Sequence, residues 1–447
     1  MLLVLYAAAS AGQSDDAALS LADRTDQAVT AETTCRGYVE GAVNETTLPG
    51  NGARDGGGAV RDGGRLSLDL RCDPALSRQW RAVLADRVDG VWQRGAAGQV
   101  VDTLKEAYLS GQVSATKLID LGRINVREGV ALGYNPTDYF RPGSIRQIVS
   151  PDPASLRENR LGSLMLRAQT LWSGGSLTAI YSPRFGARPN DSPFNPDFGA
   201  TNGSSRWLLA WSEAFAADLK PQWLLFGAEH QSPQIGFNLT RLVGNATVAY
   251  VEWSGGRSAP DSVAAFRDSV GSVSGGDGET AIEVRGPTQA SYPAGGTITG
   301  VSSPRAFRSR LAAGLSYTTP TKLSLSLEYE YNGAALDHDG WAALRAGSPA
   351  AYVQYRNFVA AAQDLPTRQN LFGYASWSDA FVTHLDLTSF LRFDVDDRSR
   401  MLRAETRYHW PRTELALQWQ RNAGGPFSNF AAGQPRQLWQ LAMTRYL

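Results

Sequence analysis

Residues 322–333 read KLSLSLEYEYNG, and apolar and polar side chains alternate without error over ten of these residues. The apolar set is Leu323, Leu325, Leu327, Tyr329 and Tyr331, and the polar set is Ser324, Ser326, Glu328, Glu330 and Asn332. Because successive side chains of a strand point to opposite faces, the segment is predicted to be a strand with one apolar and one polar face. What each face contacts decides the fold.

The same alternation recurs along the chain, for example at 206–212, 402–410 and 414–420. Most of these runs extend over about 9–13 residues, whereas strands in soluble sandwiches are usually nearer five or six. A tilted strand that crosses a bilayer needs about 9–11 residues. The run lengths therefore favour membrane-spanning strands.

Eighteen strands are predicted, and their connections differ in length on the two sides of the sheet. The predicted strands are 36–44, 65–73, 80–93, 101–113, 115–127, 161–173, 175–184, 205–216, 220–231, 233–243, 245–255, 305–318, 321–332, 368–378, 381–394, 398–409, 412–422 and 436–447. The long connections all follow odd-numbered strands; they are 45–64, 128–160, 185–204, 256–304, 333–367 and 423–435. Long loops at one end, short turns at the other and an even strand count are typical of outer-membrane barrels.

The predicted fold class is all-β, a transmembrane antiparallel up-and-down β-barrel of about 18 strands (16–18), with long extracellular loops and short periplasmic turns. The sheet must close because a bilayer offers no water to an open edge. The apolar face then contacts lipid, and the polar face lines a water-filled lumen. Candidate lumen-lining residues are Arg206, Glu328, Glu330, Asp386, Arg392, Arg403, Glu405 and Arg407. Pairs of opposite sign among them can brace the wall or impose a field on a passing solute.

Composition excludes several other classes. Lys+Arg and Asp+Glu are both 43, so the chain has no global basic field and no nucleic-acid partner is expected. No run of about 20 apolar residues is present, as a helical membrane protein would need. Repeated blades of about 40–50 residues, as in a propeller, are also absent.

The N-terminal residues 1–11 have an apolar stretch followed by Ala9-Ser10-Ala11, a pattern typical of a secretory signal peptide. The usual positive residues before the apolar stretch are missing, and a short buried helix is the alternative. Residues 12–32 are polar and predicted to be a flexible lead-in, and the barrel is assigned to 33–447.

The two cysteines, Cys35 and Cys72, are spaced wrongly for a zinc site. In an oxidising compartment they can form a disulfide. The alternative is two unrelated thiols.

The segment Ile119–Gly143, IDLGRINVREGVALGYNPTDYFRPG, carries a resemblance to known families. A Gly-Arg in a strand, followed by a loop with Asn-Pro-x-Asp and Arg-Pro-Gly, is similar to porin-type and alginate-export-type outer-membrane barrels of Gram-negative bacteria. The resemblance implies a bacterial outer-membrane location and a transport function. The final Leu447 departs from the Phe that usually ends such barrels.

The connection 128–160 is rich in proline and charge, so it is predicted to be stiff enough to fold inward and narrow the channel. The constriction candidates in and beside it are Arg123, Arg127, Asp138, Arg141 and Arg146. If they face the pore, replacing Arg141 and Arg146 with Glu should shift selectivity toward cations. The alternative is that these groups form salt bridges with the wall and hold the loop in place.

The remaining connections carry weaker signals. The connection 256–304 is predicted to be a solvated surface loop, and its GGDGE at 275–279 has the wrong ligand spacing for calcium. A short helix is predicted over about 351–362, either plugging the mouth or lying on the rim. The four histidines lie in no hydrolase, zinc or phosphate-binding motif, so no enzyme, cofactor or metal is expected.

These observations favour a porin-like channel for small solutes, narrowed by 128–160. The alternatives are a polysaccharide (alginate-like) export barrel and a non-conducting scaffold barrel with a partner. Expected partners are outer-membrane lipid and lipopolysaccharide, a small-molecule or oligosaccharide solute, and either further copies of the chain or a periplasmic protein.

Overall fold

A computed structural model describes residues 35–49, 59–186, 188–216, 219–267 and 305–447. The predicted signal peptide at 1–11, the lead-in at 12–32 and the GGDGE segment at 275–279 lie outside the described residues.

Eighteen antiparallel strands form one sheet, and β1 pairs with both β2 and β18, so the sheet closes into a barrel. The strands are β1 Cys35–Thr47, β2 Val60–Cys72, β3 Trp80–Gln93, β4 Gln99–Ser114, β5 Lys117–Ile124, β6 Ser163–Trp172, β7 Gly175–Ser182, β8 Arg206–Glu213, β9 Gln222–Ala228, β10 Gln234–Val243, β11 Thr247–Ser258, β12 Ala306–Thr318, β13 Leu323–Asn332, β14 Gln369–Trp377, β15 Leu385–Asp394, β16 Arg400–Trp410, β17 Thr413–Ala423 and β18 Gln437–Tyr446. Each predicted strand overlaps one of these, with ends displaced by a few residues. The predicted fold class is confirmed.

Five helices lie in the connections: α1 Pro153–Glu158, α2 Phe198–Thr201, α3 Asp261–Arg267, α4 His338–Ala346 and α5 Pro349–Ala362. The predicted helix at about 351–362 corresponds to α5, whereas α4 was not predicted. None of the described helices has the length and apolar composition that a membrane-spanning helix requires.

The strand ends confirm that the long connections share one side of the barrel. They are 48–59, 125–162, 183–205, 259–305, 333–368 and 424–436, whereas the shortest turns on the opposite side are 115–116, 173–174, 244–246 and 411–412. Since outer-membrane barrels place short turns in the periplasm, the long connections are extracellular.

The outer surface is apolar over the central part of the strands. Leu327 is 64% exposed, Leu417 is 47% exposed and Leu441 is 44% exposed. Exposed leucines on every second residue of neighbouring strands would be unfavourable in water, but hydrocarbon accommodates them. The apolar set of the 322–333 segment therefore faces lipid, as its alternation predicts.

The inner wall is not polar throughout, which corrects the expectation of a lumen lined only by polar side chains. On β7–β9, Ile180, Leu208, Leu224 and Phe226 point inward and are buried. They pack against apolar residues that follow β5 and enter the lumen, and the ring of Tyr139 stacks on Phe226 with centroids 4.5 Å apart. The polypeptide that enters the lumen, and not water, covers this part of the inner wall, so burying apolar side chains there is favourable.

Candidate functional site in the barrel lumen

Residues 125–162, here called the inserted segment, connect β5 to β6 and fold into the lumen. Arg160, near the end of the segment, pairs with Asp138 in its middle and bonds to Asn125 at its start. Arg160 Nη1 lies 2.9 Å from Asp138 Oδ2, and Arg160 Nε donates to Asn125 Oδ1 at 2.8 Å. Asn135 Nδ2 donates to the Ala131 carbonyl at 2.7 Å, which fixes the turn that the Asn-Pro pair begins.

The carboxylate of Glu252 on β11 accepts the first set of backbone N–H groups of the inserted segment. Its Oε2 accepts from Val130 and Ala131 at 2.9 and 3.0 Å, and its Oε1 accepts from Thr137 N at 2.7 Å. The Thr137 hydroxyl donates to the same Oε1 at 2.9 Å. These N–H groups are far from bulk water, so the carboxylate supplies the partners they would otherwise lack.

Glu328 on β13 accepts the backbone N–H groups of the next residues of the inserted segment. Its carboxylate accepts from the N–H groups of Leu132 at 2.8 Å, Gly133 at 3.1 Å and Tyr134 at 3.0 Å. The hydroxyl of Tyr250 on β11 donates to it as well, at 2.8 Å. Glu328, expected to line a water-filled pore, is instead fully buried beneath the inserted segment.

Gly129 permits the approach to Glu252. Its φ is +97°, and a Cβ at this position would lie 2.5 Å from Glu252 Oε2. Any other residue would push the segment off the carboxylate that holds it.

Asp364, just after α5, joins the inserted segment to the outer connections. Arg310 Nε on β12 is 3.1 Å from its Oδ2, Arg141 Nη2 of the inserted segment is 3.3 Å from its Oδ1, and the Tyr134 hydroxyl donates to it. Burial alone would raise the pKa of Asp364, but Arg310 and Arg141 outweigh burial and hold this pKa below its usual range.

Helices α4 and α5 pack on one another, and α5 contacts the inserted segment. Trp341 of α4 and Tyr355 of α5 are buried together with Ala265 of α3. The C-terminal end of α5 contacts the inserted segment, since Gly143 N donates to the Ala361 carbonyl at 2.8 Å. The described residues 259–267, the connection 333–368 and the inserted segment therefore pack together.

A cavity of about 850 Å³ occupies the other half of the lumen. Its walls are β1–β4 and β14–β18, and the inserted segment contributes to it as well. Charged side chains dominate the lining: Arg36, Arg65, Arg71, Arg87, Lys105, Arg127, Arg403 and Arg407 are basic, and Glu40, Asp69, Glu106, Asp152, Glu158 and Glu405 are acidic.

On the β1–β4 wall these charges form a continuous network. Arg87 Nη2 lies 3.0 Å from Asp89 Oδ1, and Arg87 Nη1 donates to the Tyr38 hydroxyl at 2.7 Å. Lys105 Nζ lies 2.7 Å from Asp69 Oδ2. These ion pairs, within β3 and between β2 and β4, brace the wall where no apolar core supports it.

The β15–β18 wall carries a second network. Arg407 lies 2.7 Å from Glu405 and 2.6 Å from Glu414, and the two ring nitrogens of His409 lie 3.0 Å from Glu414 and 3.1 Å from Asp386. Because β18 pairs with β1, the two charged networks lie on one continuous arc of the wall that borders the cavity.

The inserted segment lines the cavity at its start, through Asn125 and Arg127, and over 149–159, which contains α1. Arg65 Nη1 on β2 donates to the Val149 carbonyl at 3.0 Å, and Asn125 Nδ2 donates to the Arg157 carbonyl at 3.0 Å. None of the residues of α1 is buried, whereas 134–141 are all buried. The segment is therefore packed in its first half and largely uncovered around α1.

Of the five constriction candidates, the structure places only Arg127 on the cavity. Arg123 is buried and its guanidinium lies 4.7 Å from the ring centroid of Phe198. Arg146 donates to the Asp102 and Asn195 carbonyls at 2.8 and 3.0 Å. Asp138 and Arg141 are held in the buried pairs described above. These four contact the wall and the neighbouring connections.

The lumen-lining candidates also divide. Arg403, Glu405 and Arg407 line the cavity, and Asp386 contacts His409 beside it. The others lie beneath connections: Arg206 is buried over the Phe140 ring at 4.8 Å, Glu330 is buried beside Glu328, and Arg392 donates to the Gly133 carbonyl at 3.1 Å.

Sequence reasoning missed Glu252 and the charges of β2–β4. The alternation of Arg65, Ser67, Asp69 and Arg71 with three leucines marked that face of β2 in the sequence. Nothing local to Glu252 distinguishes it from other lumen-facing acids, because its role depends on a segment more than a hundred residues away.

Cys35 and Cys72 lie directly opposite each other on β1 and β2, with Cα atoms 4.1 Å apart, and the structure joins their sulfurs. The bond links the first residue of β1 to the last residue of β2, at the periplasmic rim. In the described parts of the chain, no group of three or more His, Cys, Asp or Glu side chains is placed to hold a metal ion.

No family model matches this chain, and no curated protein has a similar sequence. Solved structures do have a similar fold. OccK8 (OprE) of Pseudomonas aeruginosa has a TM-score of 0.51 at 9% identity, with 92% of this chain and 98% of that chain covered. OpdQ of the same organism has a TM-score of 0.50 at 8% identity, covering 93% and 98%. The outer membrane protein OprD from Pseudomonas aeruginosa has a TM-score of 0.47 at 8% identity, covering 93% of each chain.

At these identities the similarity is one of fold. It supports the porin-type half of the resemblance seen in the sequence and gives no support to the alginate-export half. The protein is a closed 18-stranded antiparallel β-barrel whose apolar outer face suits an outer membrane, and its fold is similar to that of OccK8 (OprE).

Proposed function

We propose that the protein is a porin-like channel that lets small polar solutes cross the outer membrane. The observation that carries this proposal is the cavity of about 850 Å³ lined by charged side chains of β1–β4 and β14–β18. A barrel that only anchored a partner would not need a wide polar space bounded by ion-pair networks. Charged, hydrated walls suit a solute that keeps part of its water shell.

The constriction in this proposal is the 149–159 part of the inserted segment. It lines the cavity through residues that include Asp152, Ser155 and Glu158. The anchors at Glu252 and Glu328 fix the first half of the segment and so determine where α1 lies. Arg127 is the basic residue of the segment that enters the same space.

The charge of the lining indicates the solute class. Eight basic and six acidic side chains border the cavity, and many of them pair with one another. Such a lining favours small solutes that carry charge of both signs or are neutral and polar. An exporter of an anionic polysaccharide would be expected to have a lumen of predominantly one sign.

The test is planar-bilayer conductance of the refolded full chain, with ion selectivity measured from reversal potentials. Stepwise conductance is expected, with weak selectivity because the two signs nearly balance. Arg127→Glu should shift selectivity toward cations, whereas Arg141→Glu disrupts a buried pair and is expected to impair folding instead. Absence of conductance in folded protein would refute the channel.

The constriction has its own test, since both native cysteines are bonded to each other in the structure. Ser155→Cys, modified with a charged thiol reagent, is expected to reduce conductance. Asp339→Cys on α4, away from the cavity lining, is the matched control and should give no change. Equal effects at both positions would contradict the placement of the constriction at α1.

A non-conducting scaffold barrel is the second candidate. The apolar packing of Tyr139 and Phe140 against Leu208 and Phe226 fills part of the lumen, as a plug would. Folded protein that conducts no ions in bilayers, before and after release of the inserted segment by Glu328→Gln, would favour this function. A periplasmic partner or self-association belongs to that alternative and is tested by co-purification.

A further inference from the structure

Four arginines lie at the extracellular rim of β16–β18: Arg398, Arg400, Arg421 and Arg436. They are here called the rim arginines, and all four are exposed. Arg400 begins β16, Arg421 is near the end of β17, and Arg398 and Arg436 lie in the adjoining connections. None of them belongs to the lumen site.

The strand register places two of them together on the outer face. Arg400 is opposite Ala423, and Arg421 is opposite Leu402 on β16 and Gln437 on β18. Leu402 is an exposed outer-face residue, and Arg400 shares its parity. Arg400 and Arg421 are therefore diagonal neighbours on the outside of the barrel, about 7–8 Å apart at their Cα atoms.

No carboxylate within the described residues neutralises this group. The rim arginines form no ion pair there, and both oxygens of the adjacent Asp397 accept backbone N–H groups, from Ser399 at 2.8 Å and Asn429 at 2.5 Å. The exposed Glu45 on β1 lies opposite Trp439 of β18, and it forms no ion pair with the rim arginines. Like charges kept this close without a partner indicate an external anion.

Aromatic residues fix the depth of the group relative to the membrane. Trp419 and Trp439 face each other across β17 and β18 with ring centroids 6.2 Å apart, one step nearer the membrane centre than Arg421. Exposed Leu417 and Leu441 follow. Tryptophans lie at the headgroup level of a bilayer, so the guanidinium groups lie at or just outside the headgroups of the outer leaflet.

We propose that the rim arginines bind the phosphate groups of an anionic glycolipid of the outer leaflet, as in lipopolysaccharide. A guanidinium offers two parallel N–H donors that match two phosphate oxygens, and this geometry favours Arg over other cations for phosphate. The diagonal spacing allows two side chains to converge on one headgroup. The site is independent of the channel proposal and would be present in a conducting or a closed barrel.

The test uses the refolded full chain in bilayer nanodiscs and lipid A carrying two phosphates as the probe. Bound lipid is counted by native mass spectrometry over a range of lipid A fractions. The double variant Arg400→Gln/Arg421→Gln is expected to bind at least about tenfold more weakly, the fold-change that corresponds to losing one charge-assisted hydrogen bond. Heat-modifiability on gels shows that the variant is folded.

The matched control is Arg412→Gln/Arg445→Gln, which removes two exposed arginines from the periplasmic rim of the same strands. It should bind lipid A like the wild type. Dephosphorylated lipid A should bind the wild type and the rim variant equally weakly. Inorganic phosphate should not compete at the concentrations where lipid A binds.

Three results would overturn the proposal. The first is unchanged lipid A binding by the folded rim variant, and the second is an equal loss in the periplasmic control. The third is equal binding of dephosphorylated lipid A to the wild type. Competition by inorganic phosphate at lipid A concentrations would assign the site to a free anion and not to a lipid.

Discussion

Glu252 and Glu328 hold the inserted segment from two strands that are separated only by β12, and together their carboxylates accept the backbone N–H groups of residues 130–134 and 137. On β12, Ala312 is opposite Glu252 and Gly314 is opposite Glu328. These small residues leave room for chain to approach the wall. The polar inner face of β11 and β13 thus binds the backbone of the inserted segment.

Replacing Glu328 with Gln tests this anchor. The amide keeps the shape but loses the charge, and one end of it becomes a donor facing three N–H groups. Each lost charge-assisted bond costs about 1.5–3 kcal/mol. The amides of 132–134 should therefore exchange hydrogen at least about tenfold faster than in the wild type. Glu405→Gln, also on the inner wall but away from these amides, should leave their exchange unchanged.

Replacing Asp364 with Asn should loosen the extracellular unit that α4 and α5 form. The change leaves Arg310 and Arg141 buried without their shared carboxylate, which costs about 3–5 kcal/mol in buried pairs. Trypsin added outside liposomes should then cleave the connection 333–368 faster. Asp339→Asn, on the outside of α4, serves as the control. Equal cleavage of both variants would contradict the role of Asp364.

The pH dependence of the same unit follows from the pKa of Asp364. This pKa lies below the usual value of about 3.9, so the stabilisation is complete above that value and is lost as the pH falls through the lowered pKa. Burial and the nearby Asp364 raise the pKa of Asp261 to about 6. As the pH falls, Asp261 is therefore protonated before Asp364, and Arg310 remains paired with the Asp364 carboxylate. Protease resistance of 333–368 should persist from pH 7 to about pH 4 and fall below it. Loss of resistance near pH 6 would show that Asp261 is the essential partner.

The two cysteines should be unreactive in protein isolated without reductant. Alkylation before reduction should add no mass, and alkylation after reduction and unfolding should add two groups. Closing 37 residues of sequence separation contributes at most about 4 kcal/mol in the chain-entropy model, and less here because β18 also holds β1. Cys35→Ser/Cys72→Ser should unfold at lower urea concentration, and reductant should not affect that variant.

The two faces of β13 should respond differently to the same substitution. Leu327→Arg places a charge in hydrocarbon near the centre of the strand, which costs about 2–4 kcal/mol in such barrels. Ser326→Arg places it on the inner face, where Ser326 is half-buried and has the polar neighbours Ser316 and Tyr374. Urea unfolding from liposomes should show the large loss for Leu327 alone. A larger loss at Ser326 would mean that the barrel faces are reversed.

The sequence determined the barrel. Because each strand has hydrocarbon on its outer face and polypeptide or water on its inner face, apolar and polar side chains alternate along it. This alternation is a local property of the sequence, so it is visible in single segments such as 322–333. Loop lengths are equally local, and they placed the long connections on one side. The lipid-facing leucines and all eighteen strands follow from these two patterns.

Only the tertiary structure decided what fills the lumen. Parity assigns Glu328, Leu208 and Arg403 to the same inner surface, yet Glu328 binds backbone, Leu208 packs under Tyr139 and Phe140, and Arg403 lines the cavity. The difference depends on where residues 125–162 lie, and that position is fixed by partners such as Glu252, which are remote in sequence. Alternation reports which face a side chain points to, but it carries no information about which distant segment covers that face.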